Sequence, residues 1–134
     1  MFQIVYLQKF NKGILIMFNI NTGKLLISEP SLNDLTFFKS VILITHYSSQ
    51  ESIGLVLNQP TKINLNDLLH DIPLTNLPVY IGGPVERNAI QFIHTLGDLV
   101  PNTKEIIPGL YWGGDFEKIL ELMTLNKITK NKIR

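Results

Sequence analysis

Continuous apolar runs in the first half of the chain predict buried β-strands. A short run covers residues 25–28, and residues 40–46 are apolar and β-branched on both faces, as in a strand covered on both sides. A third run, residues 53–58, stops before Pro60. The six residues between the second and third runs are too few for a parallel crossover. These two strands are therefore expected to form a hairpin at the centre of the sheet.

Apolar residues spaced three and four apart predict two helices. A short helix follows Asn64 and runs to about His70. Its apolar positions are Leu65, Leu68 and Leu69. The clearer helix follows Asp115, which can cap it through its carboxylate. The apolar positions of this second helix are Phe116, Ile119, Leu120 and Met123.

The remaining segments predict short strands separated by turns. Residues 79–81, 89–94 and 105–107 are expected to be strands. The expected turns are a helical turn through Phe37 and Phe38 capped by Asn33 or Asp34, a glycine turn at Gly82-Gly83-Pro84, and a strand-to-helix turn over residues 109–114 in which Tyr111 and Trp112 fill the core. Strands interleaved with short helices predict an α+β fold, a mixed sheet with helices packed on it.

Composition narrows the class of protein. A chain of 134 residues with 45% hydrophobic and 17% charged residues is expected to fold as one domain and not to be disordered. The absence of cysteine excludes disulfides, thiolate metal sites and a cysteine nucleophile. The longest unbroken apolar run near the N-terminus, Ile14 to Phe18, is too short for a spanning helix or a secretory signal. Neither export nor membrane insertion is expected.

The formal net charge of +1 conceals an uneven distribution of charge. Six of the twelve basic residues lie near the two ends of the chain, at Lys9, Lys12, Lys127, Lys130, Lys132 and Arg134. Residues 17–126 hold the other six and all 11 acidic residues, so this body carries −5. Since nucleic-acid binding depends on cations at phosphates, the body is a poor DNA-binding surface. The basic tail is interpreted as a solvated chain end, with phosphate contact as the alternative.

Few residues are arranged as a catalytic or metal site would require. His46 and His94 end two predicted strands and His70 ends a helix, so a three-histidine zinc site can be imagined. The close ligand pairs of a metal signature are missing, and structural histidines are the preferred interpretation. The segment Gly82-Gly83 lacks the spacing of a phosphate loop and predicts a turn with positive φ at one glycine. Gly54 within its strand predicts close packing or a bulge.

Five segments between residues 23 and 115, read in order, resemble motifs of the YqgE/AlgH family of bacterial proteins. They are Gly23-Lys24-Leu25-Leu26-Ile27-Ser28-Glu29-Pro30; Leu32-Asn33-Asp34 with Phe37-Phe38-Lys39-Ser40-Val41; His46 with Ile53-Gly54-Leu55-Val56-Leu57-Asn58-Gln59-Pro60; Val79-Tyr80-Ile81-Gly82-Gly83-Pro84-Val85; and Gly109-Leu110-Tyr111-Trp112-Gly113-Gly114-Asp115. In addition, Ile93-His94 lies where the family has Leu-His.

This resemblance implies an α+β fold in which a mixed, bifurcated β-sheet curls towards a pseudo-barrel with flanking helices. It also implies a cytoplasmic bacterial protein of a family commonly described as transcriptional regulators, without established catalytic residues or cofactor. The family start falls near Met17, so residues 1–16 are expected to be an extension that packs poorly, and residues 17–134 a single domain. That domain is expected to be incomplete at its C-terminus, leaving an unpaired edge and an exposed apolar surface.

The leading hypothesis is a non-enzymatic cytoplasmic regulator that acts through a protein partner, with no cofactor, no metal and no direct contact with DNA. The alternative is a small-molecule or metal-dependent activity at a groove. The residues expected to flank that groove are His46, Asn58, Gly82, Gly83 and His94. A third hypothesis is direct DNA binding through the basic tail, residues 127–134.

Overall fold

The computed structural model describes residues 4–6, 20–29, 35–85 and 88–134. The strands in these residues are β1 (Ile4–Tyr6), β2 (Leu25–Ile27), β3 (Val41–Tyr47), β4 (Ser52–Val56), β5 (Pro60–Asn64), β6 (Pro78–Tyr80), β7 (Ile93–His94), β8 (Lys104–Ile107) and β9 (Leu110–Trp112). The α-helices are α1 (Leu65–Leu68) and α2 (Phe116–Thr124), and short 3₁₀ turns cover Gly97–Leu99 and Lys130–Lys132.

The described strands pair in three antiparallel sheets. The first has the order β1-β4-β3-β2, the second pairs β5 with β6, and the third has the order β7-β9-β8. A backbone hydrogen bond from Val56 N to Gly82 O at 2.8 Å joins the first sheet to the segment after β6, and Ile81 N donates to Gln59 O at 2.9 Å next to the β5–β6 pair. The α+β class is confirmed, and the strands of the described residues form no closed barrel.

The β3–β4 hairpin forms the centre of the first sheet, as the apolar runs predict. Its register shifts between Ile44 and His46, so Thr45 is the extra residue of a bulge. The Thr45 hydroxyl donates a hydrogen bond to the carbonyl of Ile53 at 3.2 Å, which stabilises the bulge. Beside it, a Cβ on Gly54 would lie 2.7 Å from Cγ2 of Ile42, so close packing requires glycine there. The close packing predicted for Gly54 is confirmed, and the bulge lies opposite it in β3.

Three apolar clusters cover the sheets. The largest joins α1, β6 and α2 and contains Leu65, Leu77, Val79, Phe92, Leu96, Val100, Ile119 and Ile133. The second lies between the first and third sheets and contains Leu43, Leu55, Ile93 and Ile106. The third covers the opposite face of the first sheet and contains Ile42, Ile44 and Val56. The β3 strand therefore has apolar residues packed on both faces, which explains why its sequence does not alternate.

Helix α2 forms where the sequence predicts it. Asp115 has extended backbone and its carboxylate accepts a hydrogen bond from Lys118 N at 3.1 Å, which satisfies one of the unpaired amides of the first turn. Ile119 is fully buried in the largest cluster. Helix α1 also begins after Asn64, as the sequence predicts, and Asn64 and Asp67 form a reciprocal capping box.

Several boundaries differ from the predictions because tertiary pairing overrides local signals. Pro60 begins β5 instead of only ending a strand, since its missing amide is tolerated at the first position of an edge. Tyr111 and Trp112 lie in β9, not in a turn. The predicted strand over residues 89–94 is reduced to β7. Residues 35–39 form a turn, and its proposed caps Asn33 and Asp34 lie outside the described residues.

Part of the expected N-terminal extension pairs with the sheet. Strand β1 lies antiparallel to β4, with Val5 opposite Gly54. The other residues of the segment 1–16 lie outside the described residues, so its expected poor packing stays a prediction.

Candidate functional site

Polar residues from three family motifs converge at the start of β3. Ser40 is fully buried, and its backbone amide donates to Oγ of Ser28 at 2.8 Å. Nε2 of Gln59 donates to Oγ of Ser40 at 2.9 Å and to the carbonyl of Thr36 at 3.3 Å. We call Ser28, Ser40, Asn58 and Gln59 the serine–amide cluster. Since Ser40 has no solvent exposure, the cluster holds the backbone in place and does not offer a nucleophile to a substrate.

Asn58 fastens the turn that precedes β3. Its Oδ1 accepts from Val41 N at 2.8 Å and its Nδ2 donates to the carbonyl of Lys39 at 2.7 Å. Lys39 has a φ of +51°, a left-handed conformation that is unfavourable for a residue with a side chain. The amide of Asn58 therefore stabilises a strained turn, which gives this exposed residue a structural role.

The glycine turn meets the same end of the sheet. The carbonyl of Gly82 accepts from Val56 N, two residues before Asn58. Gly83 has a φ of +143°, as expected for one glycine of this turn. Both glycines are buried. Asn58, Gly82 and Gly83 of the predicted groove are thus brought close together.

His46 lies towards the opposite end of β3. Asn58 is bonded to Val41, the first residue of the strand, and at about 3.3 Å per residue His46 lies roughly 17 Å further along. Its Nδ1 is 3.1 Å from Nζ of Lys104 on β8. Its Nε2 is 3.6 Å from Oε1 of Glu51 in the β3–β4 turn. His46 does not share a groove with Asn58.

His94 is buried and its ring nitrogens are both occupied. Nδ1 accepts from Leu96 N at 3.2 Å, so the proton of the neutral ring is on Nε2. Nε2 lies 3.0 Å from the carbonyl of Gly113 and 2.9 Å from Oγ1 of Thr103. Burial lowers the pKa of His94 below its usual range, partly opposed by its bond to the Gly113 carbonyl. The ring also stacks on Tyr111, with centroids 5.7 Å apart.

The three histidines do not assemble into a metal site. His70 is exposed near the end of α1, and among the described residues His46 and His94 share no hydrogen-bond partner. Within the described ranges, no three or more histidine or carboxylate side chains are grouped so that they could hold a metal ion. A small cleft of about 30 Å³ lies among Leu65, Val79 and Phe116, with room for one or two water molecules.

Among the described strands, β2 lies at an edge of the first sheet and presents apolar side chains to solvent. Leu25 is 56% exposed and Ile27 is 77% exposed, although both lie in a strand of the central sheet. They share a face with their partners Leu43 and Val41, and Leu43 is buried beneath the third sheet. The third sheet therefore does not extend over β2.

This apolar surface continues onto the neighbouring sheet. Ile107, the last residue of β8, is 42% exposed and packs so closely on Gly23 that a Cβ there would lie 2.2 Å from its Cγ2. Gly23 is two residues before Leu25. We call Leu25, Ile27 and Ile107 the β2 edge surface. Exposed apolar side chains at a strand edge are typical of an interaction site.

The basic tail is partly fixed in the fold. The backbone of Arg134 exchanges two hydrogen bonds with Ile93, and Ile133 is buried. The guanidinium of Arg134 lies 4.1 Å from the ring centroid of Tyr80 and donates to the carbonyl of Leu57. Arg134 is thus engaged within the molecule, while Lys127, Lys130 and Lys132 are exposed.

Sequence reasoning predicted some members of these sites and missed others. Asn58 and the two glycines lie at the same end of the first sheet, and their role in a groove stays a prediction. Ser40 and Gln59 were missed as the centre of the serine–amide cluster, although each stands beside a motif residue already singled out. Lys104 was missed because no local pattern places residues 58 apart in sequence together.

No helix in the described part of the chain is long and apolar enough to cross a membrane.

The chain belongs to the AlgH-like family, whose model (DUF179) matches residues 25–134. The UPF0301 protein of Chlorobium luteolum is 34% identical over 112 residues, which cover 84% of this chain and 59% of that protein. UPF0301 protein BF2109 of Bacteroides fragilis is 38% identical over 113 residues, which cover 84% of this chain and 57% of that protein. The chain therefore spans about three fifths of the length of these relatives.

A solved structure has the same fold. The crystal structure of protein DIP2367 from Corynebacterium diphtheriae matches 76% of this chain and 59% of its own chain, with a TM-score of 0.62 and 22% identity. This likeness supports the α+β architecture.

Proposed function

We propose that this chain is a non-enzymatic cytoplasmic regulator, acting on transcription through a protein partner that it binds at the β2 edge surface. The partner supplies an extended segment with alternating apolar side chains, which adds to the sheet as a further strand. One observation carries this function: among the described strands, β2 lies at the edge of its sheet, and its apolar side chains Leu25 and Ile27 are exposed. DNA is not contacted directly.

The backbone of β2 supports strand addition. Lys24 O accepts from Ile44 N at 2.9 Å and Ser28 N donates to Ser40 O at 3.0 Å, so these two residues direct backbone groups towards β3. In an antiparallel pair the backbone groups of alternate residues point towards the partner strand, and those of the residues between them point away. The amides and carbonyls of Leu25 and Ile27 therefore point to the outer edge, where a partner strand gains hydrogen bonds together with apolar contacts.

The polar clusters support a binding role more than catalysis. The hydroxyl of Ser40 is buried, both ring nitrogens of His94 are bonded within the fold, and Asn58 is bonded to backbone at both ends of its amide. None of these groups presents a free base or nucleophile at the surface. Ser40 and Asn58 instead hold the turn beside β2, which keeps the edge surface in place.

The test compares partner binding by the natural chain and by Ile27→Lys. A lysine on an edge strand opposes strand addition, and Ile27 is exposed enough for the variant to fold. Leu74→Lys is the matched control, since Leu74 is 79% exposed in a loop. Partners retained from the source cell are identified, purified, and their Kd measured against all three chains. We expect about tenfold weaker binding for Ile27→Lys, a loss of about 1.4 kcal/mol, and an unchanged Kd for Leu74→Lys.

Two outcomes would overturn this function. Equal Kd values for Ile27→Lys and the natural chain would show that the partner binds elsewhere. A stoichiometric metal lost on His46→Ala, or a metabolite that raises the melting temperature, would favour the alternative activity at the predicted groove. Sedimentation of the natural chain and Ile27→Lys distinguishes a partner from self-association, because a dimer formed through β2 dissociates in the variant.

A further inference from the structure

A row of three polar side chains joins the β3–β4 hairpin to the third sheet. His46 stands between Glu51 of its own hairpin, 3.6 Å from Nε2, and Lys104 of β8, 3.1 Å from Nδ1. These two are the charged groups that the structure places against His46, one on its own element and one on the element packed beside it. The contact spans 58 positions in sequence and crosses between two sheets.

Local structure aims His46 at this position. The bulge at Thr45 shifts the register of the hairpin just before His46, and bulges redirect the side chains that follow them. Glu51 is held by Ser48, whose Oγ accepts from Glu51 N at 3.0 Å. Lys104 also lies 5.9 Å from the ring centroid of Trp112, which orients its ammonium group. The row is therefore built by a bulge, a turn and an aromatic ring.

The chemistry of the row depends on the protonation of His46. An ammonium group can only donate, so Nδ1 of His46 must accept and the neutral ring carries its proton on Nε2. A second proton would enter at Nδ1, which abolishes the acceptor and sets two cations against each other. The same proton creates an ion pair with Glu51, which is already within reach of Nε2. Lys104 thus favours the neutral ring of His46, and Glu51 favours the protonated ring.

We propose that His46 is a pH-sensitive latch between the β3–β4 hairpin and β8. When neutral, it accepts from Lys104 and ties the two sheets together. When protonated, it releases Lys104 and is held by Glu51 on its own hairpin. Histidine is suited to this role because it titrates between about pH 5 and 8. The partially exposed position of His46 gives protons access to the ring.

The latch is tested by hydrogen exchange of the full chain between about pH 5 and pH 8, corrected for intrinsic exchange rates. We expect residues 104–107 to lose protection on acidification in the natural chain. His46→Gln keeps a side-chain acceptor for Lys104 without titrating, so its loss of protection on acidification is expected to be smaller than that of the natural chain, with only the contribution of His94 remaining. His70→Gln is the matched control, because it removes an exposed histidine elsewhere and is expected to behave like the natural chain.

A second variant and a spectroscopic measurement separate the latch from general acid destabilisation. Lys104→Met removes the cation, so acidification is expected to lower its residual protection only as much as it does in His46→Gln. Nitrogen chemical shifts of the His46 ring at about pH 8 should show an unprotonated Nδ1 and a protonated Nε2. The latch is wrong if His46→Gln loses protection with pH as the natural chain does, or if Nδ1 carries the proton at the higher pH.

Discussion

Nδ2 of Asn58 donates a 2.7 Å hydrogen bond to the backbone carbonyl of Lys39, a residue 19 positions earlier that is held at a φ of +51°. The other end of the same amide accepts from Val41 N. One side chain thus stabilises the strained turn that leads into β3. The relationship connects two family motifs that are separate in sequence, and it explains why an amide is needed at position 58.

Asn58→Ala is expected to destabilise the fold by about 1 to 2 kcal/mol, because it removes two hydrogen bonds and leaves the Lys39 turn without support. Urea denaturation measures the change in the free energy of unfolding. Asn21→Ala is the control, since the Asn21 side chain is exposed and makes no hydrogen bond to the described residues. A loss that is equal in the two variants would contradict the role given to Asn58.

His94 is expected to make stability depend on pH. Because burial lowers its pKa in the folded state, the unfolded chain binds the proton more readily. The stabilisation is fully present above about pH 6.5, the ordinary pKa of histidine, and is lost as the pH falls from there through the folded pKa. Melting temperatures measured from about pH 8 to pH 5 should show this decline, and His94→Gln should flatten it. An unchanged profile in His94→Gln would assign the decline to another group.

Gly114→Ala is expected to cost more stability than Gly109→Ala. Both glycines have positive φ, +106° and +85°, so alanine is strained at either position, by about 1 to 2 kcal/mol. At Gly109 nothing lies within 4 Å of the added Cβ, whereas at Gly114 it would lie 2.8 Å from the carbonyl oxygen of Pro101. The difference between the free energies of unfolding of Gly114→Ala and Gly109→Ala therefore measures the clash of the added Cβ with the Pro101 carbonyl. Equal losses would show that the loop at Pro101 moves aside.

The basic tail is expected not to confer tight DNA binding. At about 0.15 M salt, anisotropy of labelled duplex DNA should show only non-specific affinity, with a Kd of about 10⁻⁴ to 10⁻⁶ M. Deleting residues 127–134 would remove the buried Ile133, so the suitable variant changes Lys127, Lys130 and Lys132 to glutamine. Tighter binding that is lost in this triple variant would restore DNA as a direct partner.

Much of the secondary structure could be predicted from the sequence, and the candidate site only in part. The apolar run of β3 and the cap of α2 are local signals, and both are confirmed. β5 and β9 were missed, because Pro60 and the glycines around Tyr111 indicate turns locally while pairing partners elsewhere make them strands. Three residues of the predicted groove converge at the start of β3. His46 lies away from them because it is near the other end of that strand.

The sequence by itself determined the α+β class, the central hairpin, the caps of the helices and membership of the family, because these depend on apolar periodicity and on short motifs. Only the tertiary structure decided that Ser40 is buried among Ser28, Asn58 and Gln59, that β2 is an exposed edge, and that Lys104 meets His46. These relationships join residues far apart in the chain. Their geometry follows from the packing of three sheets, which no local pattern specifies.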